Sequence, residues 1–139
     1  AGAVGLAEAL ERAVGELSQE DGRLRALRGR LEAAVLETVD GAVVNGAGAD
    51  RLPHVLSVSL PAIDSDVLLA SLDMAGLAVS SGSACHSGAS APSHVLLAIG
   101  VEADAALRFS LGWPTTDREV DRAIAVFRET VERARGVGV

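Results

Sequence analysis

The chain has 139 residues and a formal net charge of −7, and it is 49% hydrophobic, 22% charged and only 2% aromatic. This composition is typical of one soluble globular domain with an aliphatic core, and it argues against an intrinsically disordered chain. An acidic chain also lacks the basic surface that binds nucleic acids or anionic membranes, and no apolar run reaches the roughly 18 residues of a membrane span.

The start of the chain and its cysteine content bear on its origin and compartment. The chain begins at Ala1 without Met or a basic segment, and Glu8 follows soon after. This pattern argues against a signal peptide and favours a segment cut from a longer protein. A single cysteine excludes an internal disulfide framework and is typical of a reducing compartment, so we expect a cytoplasmic protein.

Residues 4–37 have the periodicity of an amphipathic helix, because apolar residues recur every three or four positions. These residues continue one stripe in a single phase: Leu6, Leu10, Val14, Leu17, Leu24, Leu27, Leu31 and Val35. Gly22 weakens the middle of the segment. The pattern therefore predicts either one long helix or two helices with a kink between them.

Two short strands are predicted next, near residues 41–44 and 55–60. The linker between them contains Gly-Ala-Gly at 46–48, but the third glycine and the following helix of a dinucleotide-binding loop are missing, which favours a turn. Asp64 is in position to cap a helix over about 65–75, which Gly76 would end.

The second half of the chain continues with a strand at 77–80 and a helix over 92–99 that begins at a proline. A strand follows at 106–112, and the capping-box sequence Thr-Asp-Arg-Glu (116–119) opens a last helix over about 117–135. One side of that helix is apolar, with Val120, Ile124, Phe127 and Val131. This order predicts an α+β fold in which helices pack on a small mixed or antiparallel sheet.

The only cysteine, Cys85, lies in a segment of small and polar residues at 80–91, which has no large apolar side chain to anchor it. We expect this segment to be a mobile loop. A thiol there is accessible, and the adjacent His86 is able to favour the nucleophilic thiolate; the alternative is an inert loop cysteine with a chance neighbour. Neither a metal site nor a Cys/His hydrolase is indicated, because Cys85, His86 and His94 lack the paired spacing of zinc ligands and no segment suggests an oxyanion hole.

Arg108 lies between apolar residues in a predicted strand that should be half-buried. A guanidinium in such a place needs a partner, and its forked geometry fits a carboxylate. Two interpretations remain open: an ion pair with one of the 19 acidic residues, or a clamp for a substrate carboxylate.

Several stretches together resemble one family. The segments SSGSAC (80–85), PSHVLLAIG (92–100) and LRFSLG (107–112) resemble the C-terminal part of cysteine desulfurases of the NifS/IscS type, which are pyridoxal-phosphate enzymes of the class V aminotransferase family. The stretches at 45–61 and 1–13 are similar to further segments of the same family. The resemblance thus runs in order over nearly the whole chain.

The resemblance implies a fold, a reaction and partners. The chain would be the C-terminal small domain (1–139) of a fold-type I pyridoxal-phosphate enzyme, with 1–37 as a helical lead-in and 80–91 as the mobile catalytic-cysteine loop. The full-length protein, a homodimer, would convert L-cysteine to L-alanine and leave a persulfide on Cys85. An iron–sulfur scaffold or a thiolation enzyme would accept that sulfur, and Arg108 would hold the substrate carboxylate.

The chain also departs from the family pattern. The family's cofactor lysine, ring-stacking histidine and pyridinium-pairing aspartate belong to the large domain, and this chain contains no lysine at all. By itself it is therefore expected to be inactive and not to bind pyridoxal phosphate. His86 stands where many members have Thr, and the chain ends without the longer tail that helps housekeeping members to bind their scaffold. The alternatives are a free-standing sulfur acceptor or interaction module, and a degenerate structural subunit of a desulfurase complex.

Overall fold

The computed structural model describes residues 2–81, 98, 100 and 105–136. Within these residues the elements are α1 (Gly2–Thr38), β1 (Val43–Val44), β2 (Val55–Leu60), α2 (Ser65–Met74), β3 (Ser80–Ser81), β4 (Ala105–Ser110) and α3 (Asp117–Gly136). The four strands form one sheet in the order β1-β2-β4-β3, and every pair in it is antiparallel. The α+β fold expected from the sequence is confirmed, and of the two predicted kinds of sheet the antiparallel one is present.

Helix α1 is one continuous helix through Gly22, so the kinked alternative is not present. The apolar stripe has two different environments along it. Four of its residues in the second half are at most 8% exposed, namely Leu24, Leu27, Leu31 and Val35. Four in the first half are 56–72% exposed, namely Leu6, Leu10, Val14 and Leu17. The core of the described domain therefore covers only the second half of the stripe.

Helix α2 begins and ends as the sequence predicts. The Asp64 carboxylate accepts hydrogen bonds from the backbone N–H groups of Asp66 and Val67 at 2.9 and 3.0 Å. At the other end Gly76 has a φ of +81°, and the N–H of Leu77 donates to the carbonyl of Leu72 at 2.9 Å. This is a Schellman ending. Because the N–H of Leu77 belongs to that ending, β3 begins only at Ser80, three residues later than the sequence predicted.

Helix α3 opens with the predicted capping box. The Glu119 carboxylate accepts a hydrogen bond from the backbone N–H of Thr116 at 2.8 Å, and the Thr116 hydroxyl accepts one from the backbone N–H of Glu119 at 3.3 Å. The backbone N–H and the hydroxyl of Thr116 both donate to the Glu119 carboxylate, which holds the pKa of this carboxyl below its usual value. Asp117 and Asp121 in the first turns also pair with Arg30 of α1, so that the capped end of α3 is fixed against α1.

The core lies between one face of the sheet and the three helices. It includes Leu56, Val58 and Leu60 of β2, Leu107 and Phe109 of β4, and buried residues from α1, α2 and α3. The rings of Phe109 and Phe127 meet edge to face with centroids 5.9 Å apart. No helix in the described part of the chain is long and apolar enough to cross a membrane. The helix predicted over 92–99 lies outside the described residues except for Ala98.

Candidate functional site

Arg108 occupies the face of the sheet that is turned away from the core. Its neighbours in β4, Leu107 and Phe109, are 1% and 3% exposed and point into the core. Because successive side chains of a strand point to opposite faces, Arg108 lies on the other face. It is half-buried there, as the sequence predicted for this position.

Arg108 belongs to a line of polar residues that crosses all four strands. It is paired with Ser57 of β2 on one side and with Ser80 of β3 on the other. Asn45 extends the β1–β2 pairing by one residue, because its backbone N–H donates to the carbonyl of Ser57 at 2.9 Å. Directly paired residues share a face of the sheet. We call these four residues, Asn45, Ser57, Arg108 and Ser80, the polar row.

The amide of Asn45 connects the polar row to a buried serine. Its Nδ2 donates to the hydroxyl oxygen of Ser57 at 3.0 Å, and its Oδ1 accepts from the hydroxyl of Ser59 at 2.9 Å. Asn45 and Ser59 are only 8% and 4% exposed, whereas Ser57 is half-buried. In this arrangement the Ser57 hydroxyl oxygen is an acceptor and the Ser59 hydroxyl is a donor.

The charge of Arg108 is not neutralised by any other described residue. No hydrogen bond or ion pair joins its guanidinium to any residue in the part of the chain that the structure describes. Other arginines do pair with carboxylates: Arg23, Arg25, Arg30, Arg51, Arg128 and Arg133. Within the described residues, the open face of the sheet therefore presents one guanidinium flanked by two hydroxyl groups, which is a donor set suited to a carboxylate.

The predicted nucleophile is not part of this geometry. Cys85, His86 and His94, together with most of the loop predicted at 80–91, lie outside the described residues. The structure does describe Ser80 and Ser81, the first two residues of that predicted loop, and they form the edge strand beside β4 instead. Within the described ranges, no group of three or more His, Cys, Asp or Glu side chains is arranged to hold a metal ion.

The residues of this chain do not fit pyridoxal phosphate as a resident cofactor. That group is linked to its enzymes through a lysine, and the chain has none. The polar row also contains no carboxylate to pair with the pyridine nitrogen. Its chemistry suits the carboxylate of a substrate and not the ring of the cofactor.

Comparison with known proteins gives the family. The family model described as aminotransferase class-V matches residues 1–123. The chain belongs to this family. The chain is 41% identical over 137 residues to a cysteine desulfurase of Gluconacetobacter diazotrophicus. It is 39% identical over 137 residues to cysteine desulfurase NifS of Azotobacter vinelandii. Both matches cover 96% of the chain and 34% of the relative.

Solved structures agree with the sequence relatives. A NifS-like protein superposes with a TM-score of 0.78 at 33% identity, covering 94% of the class-V chain and 33% of that protein. A NifS-like protein from Rickettsia africae superposes with a TM-score of 0.75 at 27% identity. The resemblance to NifS/IscS-type cysteine desulfurases inferred from the sequence motifs is thereby confirmed. The chain spans about a third of the length of the curated relatives it matches.

Sequence reasoning identified Arg108 but missed the residues beside it. Asn45 and Ser57 were seen only as parts of a family-like stretch, with no role of their own. A usable signal was present in the strand sequence VLSVSL, where serines alternate with buried leucine and valine. That alternation indicates that Ser57 and Ser59 share the face opposite the core, but only the register of β2 against β4 brings Ser57 to Arg108.

Proposed function

We propose that this chain is the segment of a pyridoxal-phosphate-dependent cysteine desulfurase that binds the substrate carboxylate through Arg108 and receives the substrate sulfur on Cys85. The observation that carries the proposal is the half-buried guanidinium of Arg108, which has no acidic partner among the described residues and lies between two hydroxyl groups on the open face of the sheet. The names of the relatives, which are 38–42% identical to this chain, support cysteine as the substrate.

Arg108 is suited to hold the carboxylate of L-cysteine. A guanidinium binds a carboxylate with two parallel hydrogen bonds, which fixes both the position and the orientation of an amino acid. Since no described acidic side chain competes for Arg108, a substrate carboxylate does not have to displace an internal partner. The core beneath the sheet keeps β4 rigid, because Leu107 and Phe109 on either side of Arg108 are almost fully buried.

Cys85 is the residue of this chain able to accept sulfur. Cys85 is five positions after Ser80, which is paired with Arg108, so even a fully extended chain keeps the Cα atoms of Ser80 and Cys85 within about 18 Å of each other. In the reaction the Cys85 thiolate bonds to the substrate sulfur as the carbon–sulfur bond breaks. The electron pair of the broken bond stays on the substrate carbon, which takes up the proton lost by the thiol. One thiol and one L-cysteine thus give one persulfide and one L-alanine.

The cofactor and the remaining contacts belong to the rest of the full-length protein in this proposal. Pyridoxal phosphate serves in such enzymes as the electron sink for the substrate carbon. Since this chain lacks a lysine, we assign the cofactor to the other two thirds of the relatives' length and expect the chain alone to be inactive. In this proposal the exposed first half of the α1 stripe packs on that other part of the full-length protein, because it continues the buried half of the stripe in the same phase.

We also propose a location and sulfur-accepting partners for the full-length protein. A cytoplasmic homodimer that transfers the persulfide sulfur of Cys85 to an iron–sulfur scaffold or a thiolation enzyme is consistent with a single cysteine and with the relatives' names. We assign the part of the segment 80–91 that follows β3 as the loop that delivers this sulfur.

The deciding experiment uses the full-length protein that contains this chain, loaded with pyridoxal phosphate. After L-cysteine is added, alanine is quantified and the bound sulfur is located by mass spectrometry. We expect a gain of one sulfur atom on the peptide that contains Cys85. Cys85→Ser should abolish turnover because a serine hydroxyl stays protonated near neutral pH and lacks the nucleophilicity of sulfur.

The control is Ser59→Ala, which changes a buried hydroxyl of the sheet away from the thiol. It should retain both alanine release and the persulfide. Normal alanine release by Cys85→Ser would remove Cys85 from the mechanism.

A further inference from the structure

We propose that Ser57, oriented by Asn45, is a second hydrogen-bond donor to the carboxylate that Arg108 binds, and that it determines how tightly the site holds its amino-acid substrate. This inference rests on the proposed function and adds a positioning pair to it. The observation behind it is the polar row, in which Asn45, Ser57 and Arg108 follow one another across three adjacent strands.

Ser57 is close enough to Arg108 for both side chains to contact one ligand. Ser57 and Arg108 are directly paired in the antiparallel β2–β4 ladder, so their Cβ atoms are about 4.5–5.5 Å apart on the same face. A serine hydroxyl stays close to the sheet, while the long arginine side chain is able to hold its guanidinium above its neighbour. A carboxylate with two oxygen atoms fits such an unequal pair, with one oxygen on each donor.

The hydroxyl proton of Ser57 is not used by Asn45. The Asn45 amide donates to the oxygen of Ser57, which uses one lone pair of that oxygen and leaves its single proton free for another acceptor. No other group in the described residues accepts that proton. Ser57 is therefore held as a donor on the half-buried face where Arg108 lies.

Ser59 shows the opposite arrangement and so provides an internal comparison. Its hydroxyl donates to Oδ1 of the same Asn45 amide, and it is only 4% exposed. Across the ladder it is paired with Ala106 and not with the arginine. The Asn45 amide thus leaves the hydroxyl proton of Ser57 available beside Arg108. It engages the hydroxyl proton of Ser59, which is not paired with Arg108.

The Ser57 contact has an expected consequence for the substrate. A hydrogen bond to a charged group contributes more than one between neutral groups. The Ser57 contact is made to a carboxylate that does not change during the reaction, so it strengthens the bound substrate and the transition state equally. Its loss should raise KM and leave kcat nearly unchanged.

The test measures steady-state kinetics of alanine release by the full-length, cofactor-loaded enzyme. Ser57→Ala should raise KM for L-cysteine about tenfold, with kcat within about twofold of wild type. Ser59→Ala, which leaves the hydrogen bond from Asn45 Nδ2 to Ser57 in place, should leave KM unchanged. Ser57→Thr keeps the hydroxyl on a strand that tolerates β-branched residues, so it should restore KM to near the wild-type value.

The role of Asn45 is tested by Asn45→Asp, which keeps the size of the side chain but replaces the Nδ2 donor with an acceptor. The Ser57 hydroxyl should then turn its proton toward the new carboxylate, and KM should rise at least as much as in Ser57→Ala. An Asn45→Asp enzyme with wild-type KM would overturn the orienting role. A KM for Ser57→Ala equal to that of Ser59→Ala in an active enzyme would overturn the role of Ser57.

Calorimetric binding of L-alanine to the same proteins separates this inference from the proposed function. Loss of affinity in Ser57→Ala but not in Ser59→Ala supports the carboxylate subsite even in an enzyme that releases no alanine from cysteine, and such an enzyme would overturn only the proposed function. An active wild type whose alanine affinity is the same in both serine variants would overturn only the subsite. A wild type with neither activity nor alanine binding would overturn both.

Discussion

The two faces of the sheet are built from alternate residues of the same strands, yet they differ in burial and in polarity. On one face Leu56, Val58, Leu107 and Phe109 are at most 3% exposed and lie under the helices. On the other face Ser57 and Arg108 are half-buried and polar, and Ser57 accepts a hydrogen bond from Asn45. The comparison indicates that stability and substrate binding are separated within single strands, one residue apart, because successive side chains point in opposite directions.

The largest expected effect is on the core face. Leu107→Ala removes a side chain that is 1% exposed in the middle of the core cluster. The lost burial and the cavity left behind should lower the free energy of unfolding by about 2–5 kcal/mol. Urea denaturation of the chain, followed by circular dichroism, measures this loss. A loss below about 0.5 kcal/mol would show that this face does not carry the core.

The neighbouring residue should behave in the opposite way. Arg108→Ala in the full-length enzyme should lower kcat/KM for L-cysteine by about 100-fold, because a paired charge-assisted contact to the carboxylate is lost. Its free energy of unfolding should change by less than about 1 kcal/mol, since no described residue bonds to the guanidinium.

The matched control for Arg108 is Arg118→Ala. It removes the same charge from an exposed position in the first turn of α3 and should leave the kinetics unchanged. Unchanged kinetics in Arg108→Ala as well would favour the interpretation of Arg108 as an ion-pair residue. It would contradict the proposal that the polar face binds the substrate.

Local signals in the sequence were enough for most of the core-side layer. The Asp64 cap, the Gly76 ending and the capping box of Thr116 and Glu119 each act within a few residues, so their pattern predicts the helix ends directly. The periodicity of α1 likewise predicted which side of the helix is apolar. It did not predict that Leu6 and its stripe neighbours in the first half are exposed, because periodicity identifies an apolar side and not what covers it.

The polar face was less predictable, for a different reason. The alternation in β2 and β4 assigns Ser57 and Arg108 each to one side of its own strand, but their adjacency depends on the register between two strands about fifty residues apart in sequence. Nothing local encodes that register. The role of Cys85 came from a family resemblance, and it stays a prediction because that residue lies outside the described ones.

The smallest expected effect concerns pH and should belong to the core-side layer alone. The pKa of the Glu119 carboxyl is lowered from 4.5 because Thr116 donates its backbone N–H and its hydroxyl to the ionised form. A lowered pKa means that this contribution to stability is fully present above pH 4.5 and is lost as the pH falls through the lower value of the folded state. Urea titrations of the chain across this acidic range should therefore show a steeper loss of stability in wild type than in Glu119→Gln, which cannot titrate. Arg108→Ala should keep the wild-type slope, because its guanidinium lies on the other face of the sheet, away from Glu119. A slope that changed in Arg108→Ala but not in Glu119→Gln would assign the acid sensitivity to the polar face and contradict the separation of the two faces.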